Sequence, residues 1–313
     1  MNDDLPPAVQ HMLTHVLKEL AAHRARFASA RAIPPLLVGV QGPQGSGKTF
    51  LTSRLRHELS SPPHALAVAV LSIDDLYLPH AGLAALASAH PQNRLLRGRG
   101  QPGTHDVPLG AEILESLRRI NDGGGAVNIP RFDKSLFGGE GDRAGSTLVS
   151  PPIDVVVLEG WCVGFYPISA EEIDRRWALP VQGLGEDFFV RRGFRKEDVV
   201  DVNERLKEYV AWWECLHVFI QINPADAHPY EFIYRWRLQQ EHHMKSLNGG
   251  KGMTDQQVES FVDRYIPGYV FFGEGVLNGT VDANGQQKLP PWIGHGLKVQ
   301  IGENREVVDV TQF

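Results

Sequence analysis

With 313 residues, 42% of them hydrophobic, the chain can build a large core in one or two domains and does not read as disordered. A formal charge of -6 argues against a nucleic-acid-binding surface as its main business, and the two cysteines, Cys162 and Cys215, are too few for a disulfide framework and lack metal-ligand spacing, so both read as buried free thiols in a reducing compartment. No apolar run approaches the ~20 residues of a bilayer span, and the acidic start Met1-Asn2-Asp3-Asp4 is unlike a signal or transit peptide, so the expectation is cytoplasmic residence without membrane association.

Residues 8–30 carry Val9, Met12, Leu13, Val16, Leu17, Leu20 and Ala21 at three- and four-residue spacing, which predicts an amphipathic helix covering one face of a sheet. Leu36-Leu37-Val38-Gly39-Val40 follows as a buried parallel strand. It leads into Gly42-Pro43-Gln44-Gly45-Ser46-Gly47-Lys48-Thr49, which fits G-x-x-x-x-G-K followed by Ser or Thr, and then into a segment with Leu51 and Leu55 at helical spacing. Strand, glycine turn and helix stand in the order a P-loop requires. The glycines let backbone N–H groups point inward at phosphate oxygens, and the helix adds its positive end. Lys48 then reaches the β- and γ-phosphates and Thr49 offers a hydroxyl to Mg²⁺, so the expected cofactors are ATP and Mg²⁺.

Residues 66–73 form a second buried strand that ends in Asp74-Asp75, where polar side chains emerge at the carboxyl edge; either could instead cap a following helix. Residues 91–110, rich in Gly, Pro and Arg, read as a long functional loop. A helix over 111–120 is broken by Asn121-Asp122-Gly123-Gly124-Gly125; a short strand, Val127-Asn128-Ile129, succeeds it, and residues 131–150 read as polar loop. Residues 153–158 form a third core strand delivering Glu159 beside the P-loop, in the manner of a Walker B acid. Residues 179–200 read as a surface insertion. A helix over 197–213, a strand over 217–222, helices over 230–247 and 254–265 and a strand over 297–301 complete the chain. Alternating strands and helices predict an α/β fold, a P-loop NTPase three-layer α/β/α sandwich with a mainly parallel sheet. The expectation is one domain over 1–313: an N-terminal helix at 7–30, a core at 36–272 and a tail at 273–313.

The guanine-reading N-K-x-D motif of GTPase switches and the L-S-G-G-Q signature of transporter ATPases are both absent. A kinase for a small hydroxyl compound needs a carboxylate for the acceptor hydroxyl, an acid for Mg²⁺ and cations around the transferring phosphoryl. Asp74, Glu159 and the region of Arg235 and Arg237 supply candidates; Thr49, Asp74 and Glu159 form the expected metal set. Arg97, Arg99, His105, Asp106, Arg131, Asp133 and Lys134 look like an acceptor pocket, since guanidiniums grip a carboxylate in bidentate fashion and an Asp holds a hydroxyl. Arg235 and Arg237 flank opposite sides of the apolar stripe Phe232, Ile233 and Trp236, so only one can face the phosphates. The glycine-rich turn at 245–251 reads as part of a lid or as a solvated loop, and Asn304-Arg305 as lining for an adenine pocket.

Several motifs go beyond the P-loop. They are Ser72-Ile73-Asp74-Asp75-Leu76-Tyr77-Leu78, the run from Arg97 to Asp106 followed by Pro108-Leu109-Gly110, and Pro130-Arg131-Phe132-Asp133-Lys134-Ser135 with Gly141-Asp142-Arg143. Leu158-Glu159-Gly160-Trp161, Tyr234-Arg235-Trp236-Arg237-Leu238-Gln239 and the region from Phe261 to Tyr269 complete the set. In these the chain resembles the D-glycerate 3-kinase family and its fungal ATP-dependent kinase relatives, within the wider phosphoribulokinase, uridine kinase and pantothenate kinase group. The resemblance spans roughly residues 36–270, and the tail after 273 diverges. It implies ATP-dependent transfer of a phosphoryl group to a hydroxyl of D-glycerate or a similar hydroxy acid, Asp74 as the catalytic aspartate, and Arg235 over the phosphates beside Lys48 and Glu159. The other readings are a kinase for another alcohol, such as a sugar phosphate, a nucleoside or a pantothenate-like compound, and a nucleotide-binding regulatory protein with little turnover, which the retained Lys48, Thr49, Asp74 and Glu159 argue against. The expected partner is a small-molecule substrate, with no nucleic acid and no membrane, bound by a monomer.

Overall fold

The computed structural model describes residues 5–225, 229–247, 249–281 and 285–313; the acidic start Met1-Asn2-Asp3-Asp4 and Asn248 of the expected turn lie outside them. The strands are β1 (Leu36–Gln41), β2 (Val68–Ser72), β3 (Val127–Asp133), β4 (Asp142–Val149), β5 (Val155–Gly160), β6 (Val218–Pro224), β7 (Thr280–Val281), β8 (Gln287–Lys288), β9 (Gly296–Ile301) and β10 (Val307–Gln312). The helices are α1 (Pro7–Arg26), α2 (Lys48–Ser60), α3 (His80–Ala89), α4 (Val107–Arg118), α5 (Ala170–Trp177), α6 (Phe188–Arg191), α7 (Lys196–Leu206), α8 (Val210–Trp213), α9 (Glu231–Leu247), α10 (Asp255–Asp263), α11 (Ile266–Phe272) and α12 (Gly275–Asn278). Six strands form one sheet in the order β10-β9-β6-β1-β5-β2, parallel throughout except for the antiparallel edge strand β10.

Alternation along the strands divides the core in two. Leu36, Val38, Val40, Val155, Val157, Val218 and Ile220 face α1 and α2, where Val9, Met12, Val16, Leu20, Leu51, Leu55 and Leu59 meet them. Leu37, Leu71, Val156, Leu158 and Phe219 face the opposite layer, built from Ile113, Leu114 and Leu117 of α4, Val202 and Leu206 of α7, Trp212 and Trp213 of α8, and Phe271 and Phe272 of α11. Each side chain of this size contributes about 1.5–3 kcal/mol on burial, so both faces of the sheet are energetically committed. The layered α/β/α fold with a mainly parallel sheet is as expected, and α1 covers a face of the sheet as its stripe predicts.

Three expectations fail. Residues 131–150 are loop only over 134–141: on either side β3 and β4 pair as an antiparallel hairpin, with β4 mostly exposed and therefore without the apolar alternation that marks a strand. Residues 179–200 are not a surface insertion, because Val181, Phe188, Phe189, Phe194 and Val199 are buried in the main core, with Trp177 stacked on Phe189 at 5.0 Å between ring centroids. The loop at 91–110 ends early, since α4 already begins at Val107 with Asp106 at its N-cap.

Register fixes where the functional residues emerge. Gln41, the last residue before the P-loop, pairs with Gly160, and Glu159 stands opposite both Val40 and Ser72. The three strand ends that deliver the glycine loop, Asp74 and Glu159 are therefore immediate neighbours at one carboxyl edge, where ligands of open α/β sheets bind. Among the described residues no helix is long and apolar enough to cross a membrane.

Candidate active site

The glycine loop is built by its sequence. Gly45 and Gly47 adopt φ of +77° and +85°, the left-handed region that favours glycine. A Cβ on Gly45 would also stand 2.6 Å from Cβ of Trp236, so α9 packs directly on the loop. The Ser46 hydroxyl donates to the Pro43 carbonyl at 2.8 Å and closes the turn, and α2 starts at Lys48 with its positive end toward the loop. The Lys48 ammonium donates to Glu159, whose side chain is buried while that of Lys48 is mostly so.

A cleft of about 1540 Å³ opens over this loop and is walled by Lys48, Thr49, Asp74, Tyr77, Trp161 and residues of α9 and α10. Burial alone would raise the Asp74 carboxyl, but Lys134, Lys48 and a hydrogen bond from Tyr77 overcome it and hold Asp74 well below the usual carboxylate range. Lys134 donates to Asp74 at 2.5 Å. Neither Asp74 nor Asp75 caps the short 3-10 turn Ile73–Leu76. Asp75 instead accepts the Phe132 N–H at 3.0 Å and ties the β3–β4 hairpin to the site, and burial pushes its carboxyl up.

Of the expected acceptor residues, Arg97, Arg99 and Lys134 line the cleft. His105 does not: it is buried behind Tyr77, its ring stacked on that phenol at 4.4 Å and its Nδ1 2.8 Å from the Tyr209 hydroxyl. Burial pushes its pKa down to about 3. Asp106 accepts from Leu109 N–H at 3.2 Å as the α4 cap and from Arg143 at 2.9 Å, so its oxygens are committed to the fold. Arg131 and Asp133 are exposed outside the cleft wall, Asp133 accepting from the Ser135 backbone and hydroxyl. Arg235 points away, bound to Glu303 at 2.7 Å, whereas Arg237 lines the cleft and pairs with Glu241 at 2.8 Å. The expectation that Arg235 faces the site is thus corrected: Arg237 faces the cleft and Arg235 does not, because Trp236 between them packs against the glycine loop and so fixes which flank faces inward. Arg305 reaches the loop itself, its Nε donating to the Gly45 carbonyl at 2.8 Å. Arg264 and Tyr265, also on the cleft wall, carry no spacing signal that singles them out.

The neutral His105 has a consequence for stability. An unfolded histidine titrates near 6.5, so the buried ring contributes stability that is full above pH 6.5 and is lost as the pH falls from there toward 3. Urea unfolding of His105→Gln between pH 7 and 4 is expected to show a flatter loss of stability than the unsubstituted protein; an equal slope would assign that loss to other groups.

Oxygen donors facing the cleft, the Thr49 hydroxyl and the Asp74 carboxylate, suit a hard cation such as Mg²⁺. Glu159, expected in the same metal set, is engaged by Lys48 and stands behind the wall. Among the described residues no three or more His, Cys, Asp or Glu side chains cluster as a metal site.

A glycine cradle at the carboxyl edge of a parallel sheet, facing an ionised aspartate and a set of cations across an open cleft, defines the P-loop kinase class. No protein-family model matches the chain. It is 38% identical to D-glycerate 3-kinase from Cryptococcus neoformans var. grubii, with a TM-score of 0.87 over 97% of this chain and 99% of that one. It is 37% identical to the probable ATP-dependent kinase TDA10 of Saccharomyces cerevisiae over 76% of this chain and 78% of the relative. It is 34% identical to the chloroplastic D-glycerate 3-kinase of Arabidopsis thaliana over 80% of this chain, and the match spans half of the plant protein's length. The chain belongs to the family of D-glycerate 3-kinases and their fungal ATP-dependent kinase relatives. The Cryptococcus match extends the shared fold into the tail beyond 273, which carries β9 and β10 of the sheet.

Proposed function

We propose that this protein is an ATP-dependent kinase that transfers the γ-phosphoryl group to a hydroxyl of D-glycerate, acting as one catalytic unit. The observation that carries the reading is Asp74, ionised and facing the cleft between Lys48 of the P-loop and Lys134 of the acceptor side. In this mechanism the backbone of residues 42–49 cradles the phosphates, with Lys48 released from Glu159 to neutralise their charge. Asp74 accepts the hydrogen bond of the acceptor hydroxyl, orients its oxygen in line with the γ-phosphorus, and takes the proton as the new P–O bond forms and the bond to the β-phosphate oxygen breaks. Arg237 stands where it can stabilise the transferring group. Thr49 and Asp74 are the residues that would hold Mg²⁺, which would supply further neutralisation of the phosphate charge.

Support for glycerate comes from the names of the relatives and from the arginine-rich acceptor side, which suits a small carboxylate. A coupled ADP-release assay across hydroxy acids, nucleosides, sugar phosphates and pantothenate tests it: preferred turnover of D-glycerate is expected, a preferred nucleoside or sugar phosphate would redirect the reading, and no turnover at all would favour a regulatory nucleotide-binding role. Activity is expected to vanish in excess chelator and to return with Mg²⁺ or Mn²⁺; full activity in chelator would overturn the metal assignment. We also propose a monomer acting on a small molecule rather than on nucleic acid or membrane, in the cytoplasm, where the free thiols Cys162 and Cys215 stay reduced.

A further inference from the structure

The cations of the cleft differ in how their charge is answered. Lys48 pairs with Glu159, Lys134 with Asp74 and Arg237 with Glu241. Arg97, Arg99, Arg264 and Arg305 have no carboxylate within ion-pair distance among the described residues. Three of these four have other work: Arg97 is exposed and donates to the Pro91 carbonyl at 3.0 Å, Arg99 fastens the carbonyls of Gly139 and Glu140, and Arg305 holds the P-loop. Arg264 is different. Its Nε is buried without any partner, and one terminal nitrogen makes only long contacts of 3.2–3.5 Å to the carbonyls of Arg99, Leu95 and Gly98.

Arg264 is half-buried on the cleft wall; a guanidinium partly withdrawn from water without a counter-ion is costly, and the cost is offset when an anion reaches the nitrogens that still face the cleft. Burial lowers the Arg264 pKa, partly countered by the Tyr265 and Tyr77 phenols. Its sequence neighbour Tyr265 is buried against Gly100, with the phenol oxygen 2.8 Å from where a Cβ would stand, and Tyr265 acts electrostatically on Asp74 and Lys134. Through its contacts to the 95–99 carbonyls, Arg264 stands with Arg97 and Arg99 on the acceptor side of the cleft wall rather than at the P-loop end where Arg305 and Trp236 sit.

We infer that Arg264 is the specificity-determining residue of this kinase: its unpaired guanidinium binds the carboxylate of the acceptor and so selects hydroxy acids over neutral polyols. Planar, bidentate pairing with a carboxylate is the geometry an arginine is built for, and a site made to hold a charged group discriminates strongly against an analogue that lacks it. The inference rests on the kinase reading above.

The test compares D-glycerate with glycerol, which keeps the hydroxyls and replaces the carboxylate by an alcohol. In the full chain, the ratio of kcat/KM for D-glycerate to that for glycerol is expected to fall about 100-fold or more in Arg264→Met, through a raised KM for glycerate, while kcat/KM for glycerol changes by less than about three-fold. Arg264→Lys, which keeps the charge and loses the bidentate fork, is expected to fall between the two, and it decides the matter if Arg264→Met does not fold. A residue that merely clamps the 95–99 loop would lower both acceptors in proportion, and a proportional loss overturns the assignment. So does a rise confined to the KM for ATP, which would give Arg264 to the nucleotide. An unsubstituted protein that turns over no D-glycerate overturns the glycerate reading itself, and the assignment of Arg264 with it.

Discussion

Asp74→Asn is expected to lower kcat by about 10² to 10⁴ while leaving the KM for ATP within about two-fold. The substitution keeps the shape of the side chain and removes the charge that Lys134 and Lys48 hold in place. It also removes the atom that takes the acceptor proton. Because Asp74 stays ionised far into the acid range, the acidic limb of the rate profile belongs to other groups, so the variant's profile is expected to drop in height without moving along the pH axis. A capping role would have predicted a near-silent change, since Asn caps about as well as Asp, but the 3-10 turn here takes no side-chain cap. Steady-state kinetics with a coupled ADP readout decides it. A kcat close to that of the unsubstituted protein would remove Asp74 from the mechanism and return Asp75 to consideration.

Lys48→Ala is expected to cost about 10² to 10³ or more in kcat, the scale of losing one preorganised charge at the transferring group. The structure adds a second effect. Lys48 and Glu159 are a buried pair with side-chain exposures of 14% and 6%, and removing one member of such a pair leaves an uncompensated charge worth about 3–5 kcal/mol of stability. Loss of activity in Lys48→Ala could then reflect unfolding. The double variant Lys48→Ala with Glu159→Gln separates the two effects: urea unfolding is expected to show stability regained, while turnover stays as low as in the single variant. Activity regained along with stability would show that Lys48 serves the fold and not the chemistry.

What the sequence discloses follows from where its signals are physically forced. The P-loop is legible because a phosphate cradle needs glycines at fixed offsets, and β1, β2, β5 and β6 because strands buried on both faces are continuous apolar runs. Asp74 is legible because a carboxylate at the end of such a run must emerge at the sheet edge. The hairpin strand β4 is hidden because it is held by backbone pairing with β3 and exposes polar side chains on most of its length. Phe188 and Phe189 are hidden because they lie in a polar, glycine-rich stretch on a single turn of helix. His105 and Asp106 carry the right chemistry for a site and are spent on the fold, and nothing in their own segment announces Tyr209 or Arg143 as their partners. The choice between Arg235 and Arg237 depends on which way Trp236 faces, which Gly45, nearly 200 residues earlier in the chain, decides.

The turn joining β9 to β10 places Arg305, at a φ of +64°, against the glycine loop. Its guanidinium bonds the Gly45 carbonyl and the Gln239 side chain, while the Glu303 carbonyl accepts the Trp236 indole N–H at 2.7 Å. One short turn near the far end of the chain thus latches the nucleotide cradle to the root of α9. The first half of that helix is therefore fastened to the cradle, whereas among the described residues its second half, beyond Gln239, takes no hydrogen bond or ion pair from Arg305 or Glu303. The latch is itself set by an edge strand whose pairing with β9 shifts register between Val307 and Asp309. Arg305, in the turn that leads into the outermost strand of the sheet, thus braces a loop carried by a strand three positions away.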